Sequence, residues 1–130
     1  MKIHIQVAAA IIYIDGQFLL SKRKDEQHQG GKWEFPGGKI EAGESVGQAL
    51  NRELQEELAI TVTEQQEFMN LDFEYPEKKV SLYFQLVTEF KGQEQGMEGQ
   101  EVCWFNHESI QRLSFPDANL PVLEKIKKLQ

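Results

Sequence analysis

Five glutamates, Glu41, Glu44, Glu53, Glu56 and Glu57, crowd into the stretch GGKIEAGESVGQALNRELQEELAI, residues 37–60. In a chain that already carries a net charge of −7, such crowding adds nothing to solubility. From Ser45 onward Val46, Ala49, Leu50 and Leu54 recur at helical spacing, and Ser45 with Gln48 forms a capping-box signature, so a helix is expected over about residues 46–58. On it Glu53, Glu56 and Glu57 stand three and four apart and share one face, where like charges repel. A solvated acidic face is one reading. Two features point elsewhere: Arg52 sits inside the cluster, and GGKIEAGE precedes it as a turn of small residues and exposed carbonyls with room for a ligand. Clustered carboxylates, carbonyl oxygens and water suit a hard divalent cation, Mg²⁺ above all, which also takes oxygens from a substrate phosphate.

The elements that must hold this cluster can be read from periodicity and turn chemistry. IHIQVAAAIIYI (Ile3 to Ile14) is β-rich, Asp15-Gly16 is a hairpin signal, and QFLLSKR is the return strand. KWEFP reads as a short strand ended by Pro36. ITV, FMNLDFEY and KVSLYFQLVTEF read as three strands, the last two joined through PEKK, and KGQEQGMEGQ reads as a loop. EVCWF is a further strand and NHESIQRL a short helix, while Val122, Leu123, Ile126 and Leu129 form the apolar face of a last helix that Pro121 can begin. Strands mixed with two good helices in this order predict an α+β fold, a mixed β-sheet flanked by helices as a sandwich.

Composition bounds the rest. A chain of 130 residues, 40% hydrophobic, suffices for one core, and no repeat or linker divides it, so residues 1–130 are expected to form a single domain. Its 21 acidic against 14 basic residues, with no Lys/Arg tract, exclude an electrostatic grip on a nucleic-acid polymer. No stretch approaches membrane-span length, which predicts a cytoplasmic protein without membrane contact. The lone Cys103, between Val102 and Trp104, is expected to be a small buried hydrophobe. Trp33 and Trp104 read as core, their indole N–H groups needing partners.

The acidic stretch resembles the signature of the Nudix hydrolases: Gly, five of any, Glu, seven of any, Arg-Glu-aliphatic-any-Glu-Glu-any-Gly-aliphatic. Gly38, Glu44, Arg52, Glu53, Leu54, Glu56, Glu57 and Ile60 fill it in register. Ala59 stands where the pattern has Gly, a departure at the helix-ending turn that touches no ligand. Within the family, members that act on 8-oxo-dGTP are similar along nearly the whole chain, through WEFPGGKIEAGE, LQEEL, FEYPEKKVSLYFQLV, MEGQ and FPDANLPVLEKIKKL. The resemblance implies a Nudix α/β/α sandwich and Mg²⁺-dependent hydrolysis, with Mn²⁺ as a substitute. The implied substrate is an oxidised purine nucleoside triphosphate, attacked by water at the β-phosphorus to give 8-oxo-dGMP and pyrophosphate, which keeps the lesion out of DNA and so prevents mutation. Alternatives are a pyrophosphohydrolase for CTP or a methylated dCTP, and a nucleotide sensor without catalysis, against which the full set of acids argues.

Residue roles implied by the same resemblance are these. The carbonyl of Gly37 with Glu53, Glu56, Glu57 and a distant Glu98 match the metal site. Arg52 holds the acids in place, Glu53 or Glu44 orients or deprotonates the attacking water, and Lys39 or Arg23 stabilises the charge of the departing pyrophosphate. Arg23 and His28, in an otherwise polar loop, match positions near the nucleotide, Lys78 is a further contact there or a hairpin-tip charge, and Phe35 is an apolar wall of the base pocket or simply core. Asn119 matches the residue that reads the oxidised base, where N7 has become a donor; on local sequence alone it is equally a cap for the last helix. Leu82 and Phe84 are pocket wall or core. The short chain favours a monomer.

Overall fold

The computed structural model describes residues 2–23 and 30–130. The first strand, β1 (Ile3–Ile14), is the axis of the molecule. Asp15 and Gly16, both at positive φ (52° and 78°), turn it into β2 (Gln17–Lys22), the left-handed pair that a two-residue hairpin requires. Two short strands follow, β3 (Trp33–Glu34) and β4 (Gly37–Lys39). The acidic helix α1 spans Val46–Leu58, with its capping box formed: Ser45 and Gln48 satisfy each other's backbone N–H groups. It ends at Ala59, whose φ of 60° and ψ of 34° are left-handed, so alanine occupies the conformation that glycine adopts more cheaply.

A long hairpin completes the sheet, β5 (Thr61–Glu74) with β6 (Lys78–Lys91). Two strands were expected where β5 runs unbroken. Continuous pairing with β6 overrides the polar TEQQE stretch, and register shifts between Val62 and Met69 absorb its irregular pattern as bulges. After the loop come β7 (Val102–Asn106), the short α2 (His107–Ile110), a single 3-10 turn (Asp117–Asn119) and α3 (Leu120–Ile126).

β1 runs parallel to β6 along ten residue pairs and antiparallel to β2, in the strand order β3-β2-β1-β6-β5. Off this path β4 pairs with the middle of β1, Ala9 opposite Gly37, and β7 pairs with β2. Alternate residues of the central strands feed two cores. Ala8, Ala10, Ile12 and Leu19 pack on Ala49, Leu50, Leu54 and Leu58 of α1. Ala9, Ile11, Phe18 and Leu20 pack on Ile110 of α2 and on Val122, Leu123 and Ile126 of α3. The sheet is therefore mixed and covered on both faces by helices, the expected α/β/α sandwich. Lys125 ties α3 to β5, donating to the carbonyl of Phe68.

Two expectations are corrected. Cys103 is exposed, because Val102 and Trp104 take the strand face that meets the α1-side core and alternation turns Cys103 the other way, on a strand at the sheet's edge. GGK is a strand and not only a turn. Gly37, at φ 158°, lies so close to β1 that a Cβ there would stand 2.0 Å from the Ala8 carbonyl oxygen. Trp104 finds its partner: its indole N–H donates to Glu94 at 2.7 Å.

Candidate active site

Where β4 pairs with β1 and the carboxylate face of α1 rises above it, a cleft of about 470 Å³ opens, lined by Val7, Ala8, Ala9, Arg23, Glu34, Phe35, Gly37, Gly38, Lys39, Glu57 and Glu98. The helix is anchored by Leu50, Leu54 and Leu58 in the core, which turns Arg52, Glu53, Glu56 and Glu57 outward toward β4. The absence of a side chain at Gly38 is part of this geometry: a Cβ there would stand 2.4 Å from the carboxyl carbon of Glu53. The acid thus packs directly on the strand backbone.

Arg52 organises the cluster. Its Nε and Nη2 donate to the two oxygens of Glu44 at 2.7 and 3.0 Å, Nη1 donates to Glu53 at 2.9 Å, and Nη2 also reaches the Lys39 carbonyl at 3.0 Å. Glu56 leans toward the same guanidinium at 3.6 Å but stays 58% exposed on the rim, whereas Glu53 is only 17% exposed. Such a fork, bidentate to one carboxylate and bridging to a second, fixes both side chains in one plane. Glu44 also accepts from the Glu41 N–H at 2.9 Å. The hydrogen bond from Arg52, then that from Glu41, holds its carboxyl down at about 2.

Glu57 behaves in the opposite way. Burial is the largest cause that pushes its carboxyl well above the ordinary range; a hydrogen bond with Glu53 and the charges of Glu53, Glu98 and Glu34 push the same way. Glu34 is also raised, by burial foremost, against the pull of Arg23, whose Nη1 donates to it at 2.6 Å. Two acids thus stand raised in one half-buried cleft, each by burial first and by neighbouring carboxylates as well. Among the described residues no three His, Cys, Asp or Glu side chains stand in a ready-made metal-holding group. The donor chemistry nevertheless fits a hard divalent ion: every donor is oxygen, and the mutual repulsion at Glu57 is what such an ion relieves. Glu57, Glu98 and the Gly37 backbone line one wall, with Glu53 bonded to Glu57 beside them.

A second, apolar pocket of about 220 Å³ adjoins this cleft, sharing Val7, Ala9, Arg23, Glu34 and Phe35 with it and adding Leu82, Phe84, Pro116, Ala118 and Asn119. Phe35, 5% exposed, stacks on Phe115 with ring centroids 5.4 Å apart and meets Phe84 edge-on at 6.1 Å, so the shared wall is rigid. Asn119 precedes α3 but makes no side-chain capping hydrogen bond. Its amide is therefore not spent on the helix. Leu82 and Phe84, which sequence left as wall or core, are both: they belong to the α3-side core and close the pocket.

The structure thus brings Gly37, Lys39, Glu57, Glu98, Arg23, Phe35 and Asn119 to two adjoining hollows, with Glu53 hydrogen-bonded to Glu57 behind the lining and joined through Arg52 to Glu44 and Glu56. Lys78 is not among them: it lies over the Tyr75 ring, 5.6 Å from its centroid, at the tip of the β5–β6 hairpin. His28 lies outside the described residues. Sequence reasoning missed Glu34, which lines both hollows. Its signal was an acid beside Phe35 and three residues before Gly37, on a strand too short to show alternation. A further hollow of about 580 Å³, lined by Ser45, Gly47, Gln48, Asn51, Arg52, Gln55, Gln65 and Gln85, is a groove of neutral amides whose single cation is already paired with Glu44 and Glu53. No carboxylate opens into it, so size is a poorer guide here than chemistry.

Residues 7–125 match the NUDIX domain family. The chain is 40% identical over 126 residues to the 8-oxo-dGTP diphosphatase of Escherichia coli, covering 96% of this chain and 98% of that protein. It is 38% identical over 126 residues to the CTP pyrophosphohydrolase of the same organism, covering 97% and 93%. Among solved structures, a MutT from a study of Aliivibrio salmonicida and Vibrio cholerae superposes with a TM-score of 0.86 at 46% identity, covering 95% of this chain and 96% of the other.

Proposed function

The chain belongs to the NUDIX domain family, and on that premise we propose that it is a Nudix pyrophosphohydrolase that converts 8-oxo-dGTP to 8-oxo-dGMP and pyrophosphate, clearing oxidised purine nucleotides from the precursor pool. The observation that carries the reading is the adjacency of an acidic cleft and an apolar pocket that ends in an uncommitted amide, Asn119, with Phe35 as their common wall. A triphosphate suits the first and a flat base the second.

Bound Mg²⁺, or Mn²⁺ in its place, neutralises phosphate oxygens and makes phosphorus more electrophilic, and Glu53, Glu56, Glu57, Glu98 and the Gly37 carbonyl are the groups to hold it. The chain's own residues do the rest. Glu44, gripped by Nε and Nη2 of Arg52 and by the Glu41 N–H, is too weak a base to take a proton near neutral pH. Glu53, tied to Arg52 through one oxygen, is the acid placed to accept a proton from the attacking water. The water oxygen forms a bond to the β-phosphorus, the bond from that phosphorus to the bridging oxygen breaks, and the bridging oxygen leaves with the nucleoside monophosphate. Lys39, and Arg23 steadied by Glu34, offset the negative charge of the phosphate chain as that bond breaks. Asn119 pairs with the altered edge of the base, where guanine presents an acceptor and the lesion a donor.

The test is a turnover panel of 8-oxo-dGTP, dGTP, CTP and 5-methyl-dCTP in ¹⁸O-water. Preference for 8-oxo-dGTP, with label in pyrophosphate, is expected. Preference for a cytosine nucleotide overturns the substrate assignment in favour of the activity named for the CTP-hydrolysing relative, and label in the monophosphate overturns attack at the β-phosphorus. Binding without turnover makes the chain a sensor.

A further inference from the structure

Glu98 sits in the loop that follows β6, far in sequence from the helix that carries the other acids, and is itself exposed. Something must hold that loop at the cleft. The last carbonyls of any helix lack intrahelical partners, and in α1 two of them, those of Glu57 and Leu58, are taken up by this loop. Gln95 N–H donates to the Leu58 carbonyl at 3.0 Å, and Met97 N–H donates to the Glu57 carbonyl at 2.9 Å. The Gln100 side chain adds a second grip: its Nε2 donates to the same Glu57 carbonyl at 3.1 Å, while its Oε1 accepts from the backbone N–H of Glu98 at 2.9 Å. One amide therefore spans two residues that both line the cleft. Gly96 lets the loop close on it, since a Cβ there would stand 2.1 Å from the Gln100 carbonyl oxygen.

We infer that Gln100 is a positioning residue for the divalent cation: by bridging the Glu57 carbonyl and the Glu98 amide it sets the distance between those two acids and so sets metal affinity. The inference rests on the reading of the cleft as a metal site. Gln100 lines neither hollow; it acts through Glu98. Partners that orient ligands from behind are worth about 10- to 100-fold in metal affinity in other metal sites.

The experiment is Mn²⁺ binding to the free protein, followed by the EPR signal of unbound Mn²⁺, for the parent, Gln100→Met, Glu98→Gln and the double variant. Methionine keeps the length and volume of Gln100 and removes both hydrogen bonds. Affinity should fall about tenfold in Gln100→Met, with no further fall when Glu98 is already Gln, because a residue that acts through Glu98 has nothing left to position. Melting in EDTA separates this from a loop that merely loosens. If Gln100→Met melts earlier in EDTA and binds Mn²⁺ like the parent, the residue is a structural clamp and the inference fails; so it does if the two losses of affinity add in the double variant. A parent protein that binds no Mn²⁺ at all instead brings down the metal-site reading beneath it.

Discussion

Replacing Asn119 by Ala separates recognition from catalysis. The side chain lines a pocket whose other walls are Val7, Ala9, Phe35, Leu82, Phe84, Pro116 and Ala118, together with the Arg23–Glu34 pair. It makes no capping bond to α3, so truncation removes no helix interaction, and stability should stay within about 0.5 kcal/mol of the parent. A capping residue would instead cost about 1 kcal/mol. An amide that both donates to and accepts from the oxidised base makes two hydrogen bonds, each worth about 1–2 kcal/mol in a dry pocket. Losing both should lower kcat/KM for 8-oxo-dGTP by about 2–4 kcal/mol, roughly 30- to 800-fold, while dGTP, which cannot use them fully, falls much less. Pyrophosphate release, read with a coupled phosphatase and colorimetric phosphate detection for both nucleotides on one preparation, gives the ratio, and a melting curve gives the stability. Equal loss for both nucleotides, with earlier melting, would refute the reasoning and return Asn119 to the helix. Unchanged selectivity would remove it from the pocket.

Glu53→Gln should lower kcat about a thousandfold with the fold intact by circular dichroism, and activity within tenfold of the parent contradicts its role. Chelation with EDTA should abolish turnover and Mg²⁺ or Mn²⁺ restore it with no need for Zn²⁺; full activity in metal-free buffer overturns the all-oxygen site. Glu57 has a folded-state pKa raised above the ordinary 4.5, chiefly by burial, so its contribution to metal-free stability is complete below the unfolded value and lost as pH rises through the raised one. Melting in EDTA should therefore decline over that rise, and the decline should vanish in Glu57→Gln. Divalent-ion binding should release protons in the same window, measurable by calorimetry in two buffers of different ionisation enthalpy. Ala59→Gly relieves a left-handed alanine at φ 60° and should stabilise the protein by up to about 1 kcal/mol after the entropy of the unfolded chain is subtracted, read as a rise in Tm; a lower Tm contradicts the strain argument.

Wherever one short stretch held the whole signal, sequence alone determined the outcome. The helix Val46–Leu58 and its capping box follow from Ser45, Gln48 and the leucine spacing, because capping and amphipathic periodicity are local. Asp15-Gly16 likewise dictates its hairpin. Glu53, Glu56 and Glu57 share a helix face by geometry alone, which is why a metal-binding chemistry could be read from them. Tertiary structure decided what depends on partners distant in the chain. Whether residues 61–74 made one strand or two was settled by β6 through continuous pairing. Cys103 was turned outward by the strand phase that buries Val102 and Trp104. Glu44 and Glu53, alike on paper, meet different atoms of Arg52, Nε and Nη2 for the first and Nη1 for the second. Glu34 joined the site because β3 and β4 bring it against a cleft shared with Glu57 and Glu98, and Asn119 was released from helix capping by a backbone geometry that no spacing rule encodes. Local propensity acts over a few residues; burial, charge coupling and hydrogen-bond choice depend on which segments the fold sets side by side.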